Sequence, residues 1–410
     1  MKIAIVSQYY PPEPVPIPAS VAQGLVARGH DVTVVTGVPD YPGGILHEGY
    51  RNERREEVHA GIPVLRLPLR LSRPGDPLGR IGNYVSFGRA SAAETARIRD
   101  VDAVYVYAPQ MTAAIGPARW ARRRGVPFVL HVQDLWPESI TESGLLPRPV
   151  GMAASATLRP WLRGIYRDAA VTLAIGPRMA RILVDRGVPE DRIRVVFNWA
   201  PDEPGPGTAN DFPGAANDGT RVIFAGNLGI MQDLETIVRA AERVTDVPGL
   251  EIEVIGSGTQ QEKLQSTLRD SSARNIRLLP RVSREEMAAV YRRSDYQLVT
   301  LKDSPVFAAT IPSKLPSSLS RGVPVITAVG GDVSDLVRDS GAGFAARPSD
   351  PDSLAEALRR AATLPREAYL RMRTNAHDFY TSAMSMRAGI DTIEDALVTA
   401  ARTSTSKGRP

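Results

Sequence analysis

Short apolar runs recur along the chain at nearly even spacing, each followed by a loop and then a stretch of helical periodicity. Residues 2–6 form such a run. The Pro-rich loop 9–18, a helix over 19–28 stopped by Gly29, and a second run at 32–36 complete a β-α-β unit. The pattern returns at 62–67, 103–107, 128–132, 171–175 and 193–197. Strands that are apolar throughout are those of a parallel sheet covered on both faces, so the chain is expected to form a doubly wound α/β fold.

Residues 198–220, NWAPDEPGPGTANDFPGAANDGT, break the pattern with the composition of a linker. Beyond it a second series of runs at 222–225, 251–255, 276–279, 296–301, 323–327 and 343–346 alternates with helices over 234–244, 260–269 and 284–293. The expected architecture is α/β, with two doubly wound parallel-sheet, Rossmann-like lobes facing a central cleft. Its parts are a lobe at 1–205, a linker at 206–220, a lobe at 221–375 and a segment at 376–410. The chain after Tyr369 reads as helix to about 401, then as a frayed tail. Ligands of open α/β sheets bind beyond the carboxyl ends of the strands, which puts the candidate chemistry in the loops that follow them.

Composition narrows the partners. At 410 residues the chain exceeds one ordinary core, and 43% hydrophobic with 23% charged residues suits a folded soluble protein. The net charge of +5 rests on arginine, because the only lysines are Lys2, Lys263, Lys302, Lys314 and Lys407. So small an excess does not indicate nucleic acid and fits anionic small molecules or an acidic membrane surface. The absence of cysteine excludes disulfides and thiolate chemistry. The N-terminal residues MKIAIVSQYYPPEP read as a strand, not a signal peptide, and no apolar run approaches membrane-spanning length. A cytoplasmic protein is expected, with a peripheral position at the inner face of the membrane left open. Two stretches, ARWARRRG at 118–125 and RPWLRGIYR at 159–167, interleave arginine with Trp120, Trp161 and Tyr166; each fits a membrane contact or an ordinary solvated helix face.

The densest candidate chemistry lies at 311–326, IPSKLPSSLSRGVPVI. A loop leads into a helix from about 313 to 320, and Lys314 stands in its first turn, where a cation gains nothing from the helix dipole. An anion, such as a phosphate held by the N–H groups around Thr310, Ile311 and Ser313, explains it; a solvated lysine is the plainer alternative. The turns Gly226-Asn227-Leu228-Gly229 and Gly256-Ser257-Gly258 follow strands and allow close backbone approach to a diphosphate.

The motifs YYPPEP, ARGHDVTVVTGVPDYPGG, HVQDLWPES, FAGNLGIMQDLE, DSPVFAATIPSKL and RGVPVI occur in an order and spacing that resembles the family 4 glycosyltransferases. Within that family the closest resemblance is to the branch with bacterial surface-polysaccharide and O-antigen sugar transferases. It spans roughly residues 1–347. The resemblance implies a GT-B fold, a nucleotide-sugar donor held by the C-terminal lobe, an acceptor held by the N-terminal lobe, and transfer with retention. It implies no cofactor and no metal, a UDP-sugar as the first expectation, and a C-terminal helix crossing back onto the first lobe.

On this reading Gly226, Asn227, Gly229, Gln232, Gly256, Gly258, Arg281, Val282, Thr310, Ile311, Ser313, Lys314 and Ser317 are the donor candidates. Arg281 and Val282 match the loop that lies against the base. His131, Gln133 and Asp134 are the catalytic candidates, Gln133 standing where many relatives carry a histidine. Pro16, Ile17, Asp40 and Tyr41 are candidates for an acceptor or diphosphate loop, and Trp136 reads as a sugar wall or as core.

The chain departs from the family pattern where Ser317 replaces a glutamate that holds ribose hydroxyls, and Ala309 replaces the other glutamate of the pair. Asn227 and Gln232 replace an arginine and a lysine near the diphosphate, and 14–18 is Pro-rich in place of glycine. Three readings stay open. One is a retaining transferase acting on a sugar, lipid-linked or small-molecule acceptor, for a polysaccharide, a lipid-linked glycan or a natural product. The others are a non-catalytic partner of the same fold with a weakened donor site, and a sugar-nucleotide epimerase or hydrolase using Asp134 and Glu138.

Overall fold

The computed structural model describes residues 1–73, 76–94, 100–139, 148–200 and 219–405. Residues 206–218 of the linker expected at 206–220 and the last tail residues, 406–410, lie outside them. The chain divides into two compact units, Met1–Phe197 with Gly389–Pro410, and Asn198–Ala388.

The first unit is built on an eight-stranded sheet. Its strands are β1 Lys2–Ser7, β2 Asp31–Gly37, β3 Arg55–His59, β4 Ile62–Leu67, β5 Ala103–Ala108, β6 Phe128–Val132, β7 Val171–Ala174 and β8 Ile193–Val195. They run in the order β3-β4-β2-β1-β5-β6-β7-β8, reversing direction of build between β1 and β5. All six residues of β5 and all five of β6 are buried, as a strand covered on both faces requires.

The expectation of an all-parallel sheet needs one correction, because β3 pairs antiparallel to β4 at the sheet edge. Its sequence, REEVH, has no apolar run, and the turn between them uses Ala60 and Gly61, both at positive φ. That is the tight hairpin geometry in which both central residues need positive φ. The first helix also starts earlier than expected. It spans Pro16–Ala27, since proline fits a first helical turn that has no N–H partner to lose.

The second unit is a six-stranded parallel sheet: β9 Thr220–Asn227, β10 Leu250–Ser257, β11 Ile276–Leu279, β12 Tyr296–Thr300, β13 Val325–Ala328 and β14 Gly343–Ala345. The order is β11-β10-β9-β12-β13-β14, with the reversal between β9 and β12. Phe224, Ile252, Val254, Leu298 and Ile326 are core residues on its strands.

The C-terminal segment is not one helix. The helix Arg366–Phe379 runs into a π-turn at Tyr380–Met384, Ser385 is extended, and a new helix spans Met386–Thr405. From Gly389 onward that helix belongs to the first unit. Ile390 fills the space that Gly24 leaves open, and a Cβ on Gly24 would lie 2.1 Å from its Cδ1. Arg28 and His30 both bind the Glu394 carboxylate, at 2.6 and 2.7 Å.

Candidate functional site

In the second unit the carboxyl ends of β9 and β10 and the loops after β11 and β12 enclose a cavity of about 570 Å³. It adjoins the reversal of strand order, where crossovers leave on opposite faces and open a crevice. Nine of the thirteen donor candidates line it: Gly226, Asn227, Gly256, Gly258, Arg281, Val282, Ser313, Lys314 and Ser317. Ser257, Ser283, Met287 and Tyr291 complete much of the wall.

Packing explains the glycines. A Cβ on Gly256 would lie 1.9 Å from the Gly226 carbonyl oxygen, so the two strand ends can adjoin only without one. A Cβ on Gly226, whose φ is +138°, would lie 3.1 Å from Lys314 Cε. Gly258 and Gly229 likewise make room for the Asn227 amide, which a Cβ would approach to 2.7 and 2.9 Å.

Lys314 is partly buried in the space so made. Its ammonium stands 4.4 Å from the Phe224 ring centroid and donates to Gln232 Oε1 at 2.8 Å. Among the described residues no carboxylate pairs with it, and burial brings it down to about 8 from the ordinary lysine value. Arg281 is exposed at the rim and has no ion pair among the described residues. The cavity therefore offers cations without the anion that would neutralise them.

Four donor candidates lie outside this lining. Gln232 accepts from the Lys314 ammonium. Gly229 borders a separate hollow of about 70 Å³ with Asp233, Glu235, Lys263 and Lys302. Thr310 turns its hydroxyl to the Val306 carbonyl at 2.9 Å, and Ile311 is buried. The helix dipole expected behind Lys314 is also small, because the helix Lys314–Leu319 has six residues. The side chain of Lys314, not the helix end, is the main electrostatic feature. One contributor escaped the sequence reading. Arg321 is 8% exposed, lies 5.0 Å from the Tyr291 ring centroid and donates to the Ser317 carbonyl at 2.9 Å, bracing two cavity walls. Its spacing of four from Ser317 on a helix was the available signal.

The first unit presents a different arrangement beyond β1, β2, β5 and β6. Asp40 is buried, accepts from Asn83 Nδ2 at 2.9 Å, and its carboxyl is raised by burial. Asn83 in turn accepts from Gln8 at 2.5 Å, and Gln8 accepts from Gln110. Glu13, unremarked in the sequence, is 4% exposed and accepts three backbone N–H groups. These are Tyr10 at 3.0 Å, Asp40 at 3.1 Å and Tyr41 at 2.9 Å. Burial outweighs these bonds and pushes its carboxyl up to about 7.

Tyr41 lies against Tyr9 with centroids 4.9 Å apart, and Tyr84 meets Trp136 at 6.2 Å. Trp136 itself is core, donating Nε1 to the Pro109 carbonyl at 3.2 Å. Asp134 reaches the surface yet lies deep enough near Tyr84 and Tyr107 that burial pushes its carboxyl up to about 6. Gln133 is mostly buried, with its N–H on the Ala108 carbonyl at 3.0 Å.

Two expectations are revised here. His131 is fully buried, bonded to the Tyr105 hydroxyl at 2.6 Å and edged by Tyr107; burial holds it neutral with a value near 3. It presents no surface to solvent. Ile17 is core, and Pro16 serves to start its helix. In the stretches 118–125 and 159–167, Trp120 and Tyr166 are buried, Trp161 is half-buried, and Arg122 pairs with Asp168 at 2.5 Å, so of the three aromatics only Trp161 reaches solvent. Among the described residues no group of three or more His, Asp or Glu could hold a metal.

Two family models match, one described as a glycosyl transferase 4-like domain at residues 16–199 and one as glycosyl transferases group 1 at 209–379. The "Putative colanic acid biosynthesis glycosyl transferase WcaI" of Escherichia coli K12 is 26% identical over 89% of this chain and 93% of its own length. The "Probable glycosyltransferase WbjE" of Pseudomonas aeruginosa is 26% identical over 57% of this chain and 59% of its own. Among solved structures, Anabaena Alr3699/HepE in complex with UDP and glucose superposes with a TM-score of 0.65 at 15% identity, over 97% of this chain and all of that one. An E. coli trehalose-6-phosphate structure bound with UDP-2-fluoro glucose gives 0.68 at 13%, over 97% and 99%. At such identities the structures show the fold alone. With both halves of the chain matched and the two-sheet architecture shared, the chain belongs to the family 4 glycosyltransferases of GT-B fold.

Proposed function

We propose that this glycosyltransferase moves a sugar, with retention, from a nucleotide-sugar donor held in the second unit to an acceptor hydroxyl presented by the first. The observation that carries the reading is Lys314, a partly buried cation in a cavity at the strand-order reversal, with no carboxylate partner among the described residues. A diphosphate supplies the missing charge. A UDP-sugar is the favoured donor, supported by the UDP and UDP-glucose named for the HepE structures. The name of WcaI, a colanic acid biosynthesis glycosyl transferase, supports an acceptor in polysaccharide assembly; a lipid-linked glycan at the cytoplasmic membrane face is the proposed setting.

In this reading Lys314 neutralises the diphosphate as it leaves, and Arg281 with Val282 flanks the base. Ser313 and Ser317 offer hydroxyls to phosphate or ribose. Gln133 and Asp134 orient the transferred sugar, with Asp40 and Tyr41 on the acceptor side. The departing phosphate takes the acceptor proton on the same face through an oxocarbenium-like state. The protein's task is electrostatic and positional, with no covalent step and no metal. A second reading, a non-catalytic partner, is favoured by Ser317, whose one hydroxyl binds a ribose diol less strongly than a carboxylate would. An epimerase or hydrolase loses ground because Glu138 is ion-paired with Arg186 at 2.8 Å.

The test is incubation with UDP-, GDP-, dTDP- and ADP-sugars plus membrane-extracted lipid-linked glycans, reading nucleotide release and, by NMR, the product's anomeric configuration. Release with one nucleotide class and a retained anomer supports the proposal. Inversion defeats the mechanism. Binding without release under every acceptor defeats catalysis and leaves the partner reading.

A further inference from the structure

The large apolar side chains most exposed in the first unit are not those of the arginine-aromatic stretches. Val58 at 71% and Val26 at 43% lie on β3 and the first helix; the others are Ile45 at 73%, Leu78 at 71%, Leu71 at 38% and Val85 at 37%. These four converge. Leu78 and Val85 are seven residues apart on the helix Pro77–Glu94, hence on one face, and Gly82 lies on that face between them. A Cβ on Gly82 would meet Arg70 at 3.0 Å, so the segment that ends in Leu71 runs along this face. A Cβ on Gly44 would lie 1.7 Å from the Ser72 carbonyl oxygen, which brings the Ile45 loop alongside.

Three arginines without carboxylate partners among the described residues stand around this apolar tip. Arg70 crosses it, Arg73 follows, and Arg89 falls on the same helix face three turns after Leu78. All three are exposed, and none has an ion pair among the described residues. Acidic groups near it include Asp76, whose carboxylate accepts the Gly79 N–H at 2.8 Å at the helix start, Glu48 beyond Ile45, and Glu53 next to Asn52, which bonds Leu69. Arg80 lies on the opposite side of the helix, where it bears on Asp40 and Tyr84. Aliphatic side chains without aromatic partners, ringed by arginine, match the boundary between acyl chains and anionic headgroups. A two-fold contact between copies would set these arginines against themselves, and a nucleic-acid surface would leave the aliphatics unused.

We infer that Ile45, Leu71, Leu78 and Val85, with Arg70, Arg73 and Arg89, form a docking face for an anionic phospholipid bilayer. The inference deepens the proposed reading of a lipid-linked acceptor, and it differs from the arginine-aromatic stretches as the place of contact.

The test is co-sedimentation of the full chain with vesicles of phosphatidylcholine alone or mixed with an equal part of phosphatidylglycerol. Binding is expected to the mixed vesicles. Arg73→Glu with Arg89→Glu should weaken it on the order of 30-fold, and Ile45→Ser with Leu78→Ser should weaken it at every salt concentration. Arg119→Glu with Arg123→Glu on the helix Ile115–Arg124 should leave it unchanged. UDP-induced thermal shift in each variant checks folding and tests the donor reading separately, so either can fail alone. Failure of the native chain to sediment with mixed vesicles overturns the inference. So does equal binding by the patch variants, or a solution dimer that Ile45→Ser with Leu78→Ser splits.

Discussion

The two units are built differently at the carboxyl ends of their sheets. In the second unit the cavity wall is sparse, with glycines that let strand ends adjoin, Arg281 at the rim and a deeper cation, Lys314, held by a ring and an amide. In the first, Gln110, Gln8, Asn83 and Asp40 hand hydrogen bonds along a buried chain, and Glu13 ties two loops together from beneath. The contrast teaches that an unneutralised cation suits a ligand that brings charge, whereas a satisfied network suits holding a surface still.

The sharpest way to break that contrast is Lys314→Ala. It should weaken UDP binding by at least ~2 kcal/mol, about 30-fold, with little change in melting temperature, measured by isothermal titration. A matching loss of stability would mean that Lys314 is structural.

Glu13→Gln probes the other side, and the sign follows from its raised value. The folded state keeps the proton at pH values where the unfolded chain, near 4.5, has released it. Stability from Glu13 is therefore complete below the unfolded value and lost as pH rises through about 7. The native protein should lose on the order of 3 kcal/mol across that window through this group, and the variant should lose much less, seen as a flatter melting temperature against pH. Asp134, raised to about 6, contributes a smaller slope of the same sign.

Gly226→Ala should have an intermediate effect. It places a methyl 3.1 Å from Lys314 Cε at a φ of +138°, costing about 1–3 kcal/mol of stability and displacing the ammonium, so UDP affinity falls too. The smallest expected change is Ser317→Glu, which adds a carboxylate where ribose is proposed to lie. UDP should bind about 1.5 kcal/mol more tightly, with stability unchanged.

What the sequence made legible follows from what is local. Parallel central strands are apolar end to end, so β1, β5, β6 and the second sheet announced themselves, whereas β3, with REEVH at an edge, did not. The glycine turns and Lys314 were visible because loop and strand adjoin in the chain. Glu13 was not, since two of its partners lie 27 and 28 residues away on the β2 loop. Arg321 was missed for the same reason, its ring partner Tyr291 lying on another helix. His131 misled because strand alternation sets the face a side chain takes but not how far along the strand solvent reaches.

The central claim is that Lys314 waits for an anion, and the chain holds only five lysines to resolve. NMR titration of isotope-labelled lysine side chains, with and without UDP, tests it most directly. The account predicts one lysine, absent in Lys314→Ala, with a midpoint near 8 in the free protein that moves up toward the ordinary value when UDP binds. A Lys314 midpoint that is ordinary in the free protein, or that UDP leaves unmoved, would contradict it.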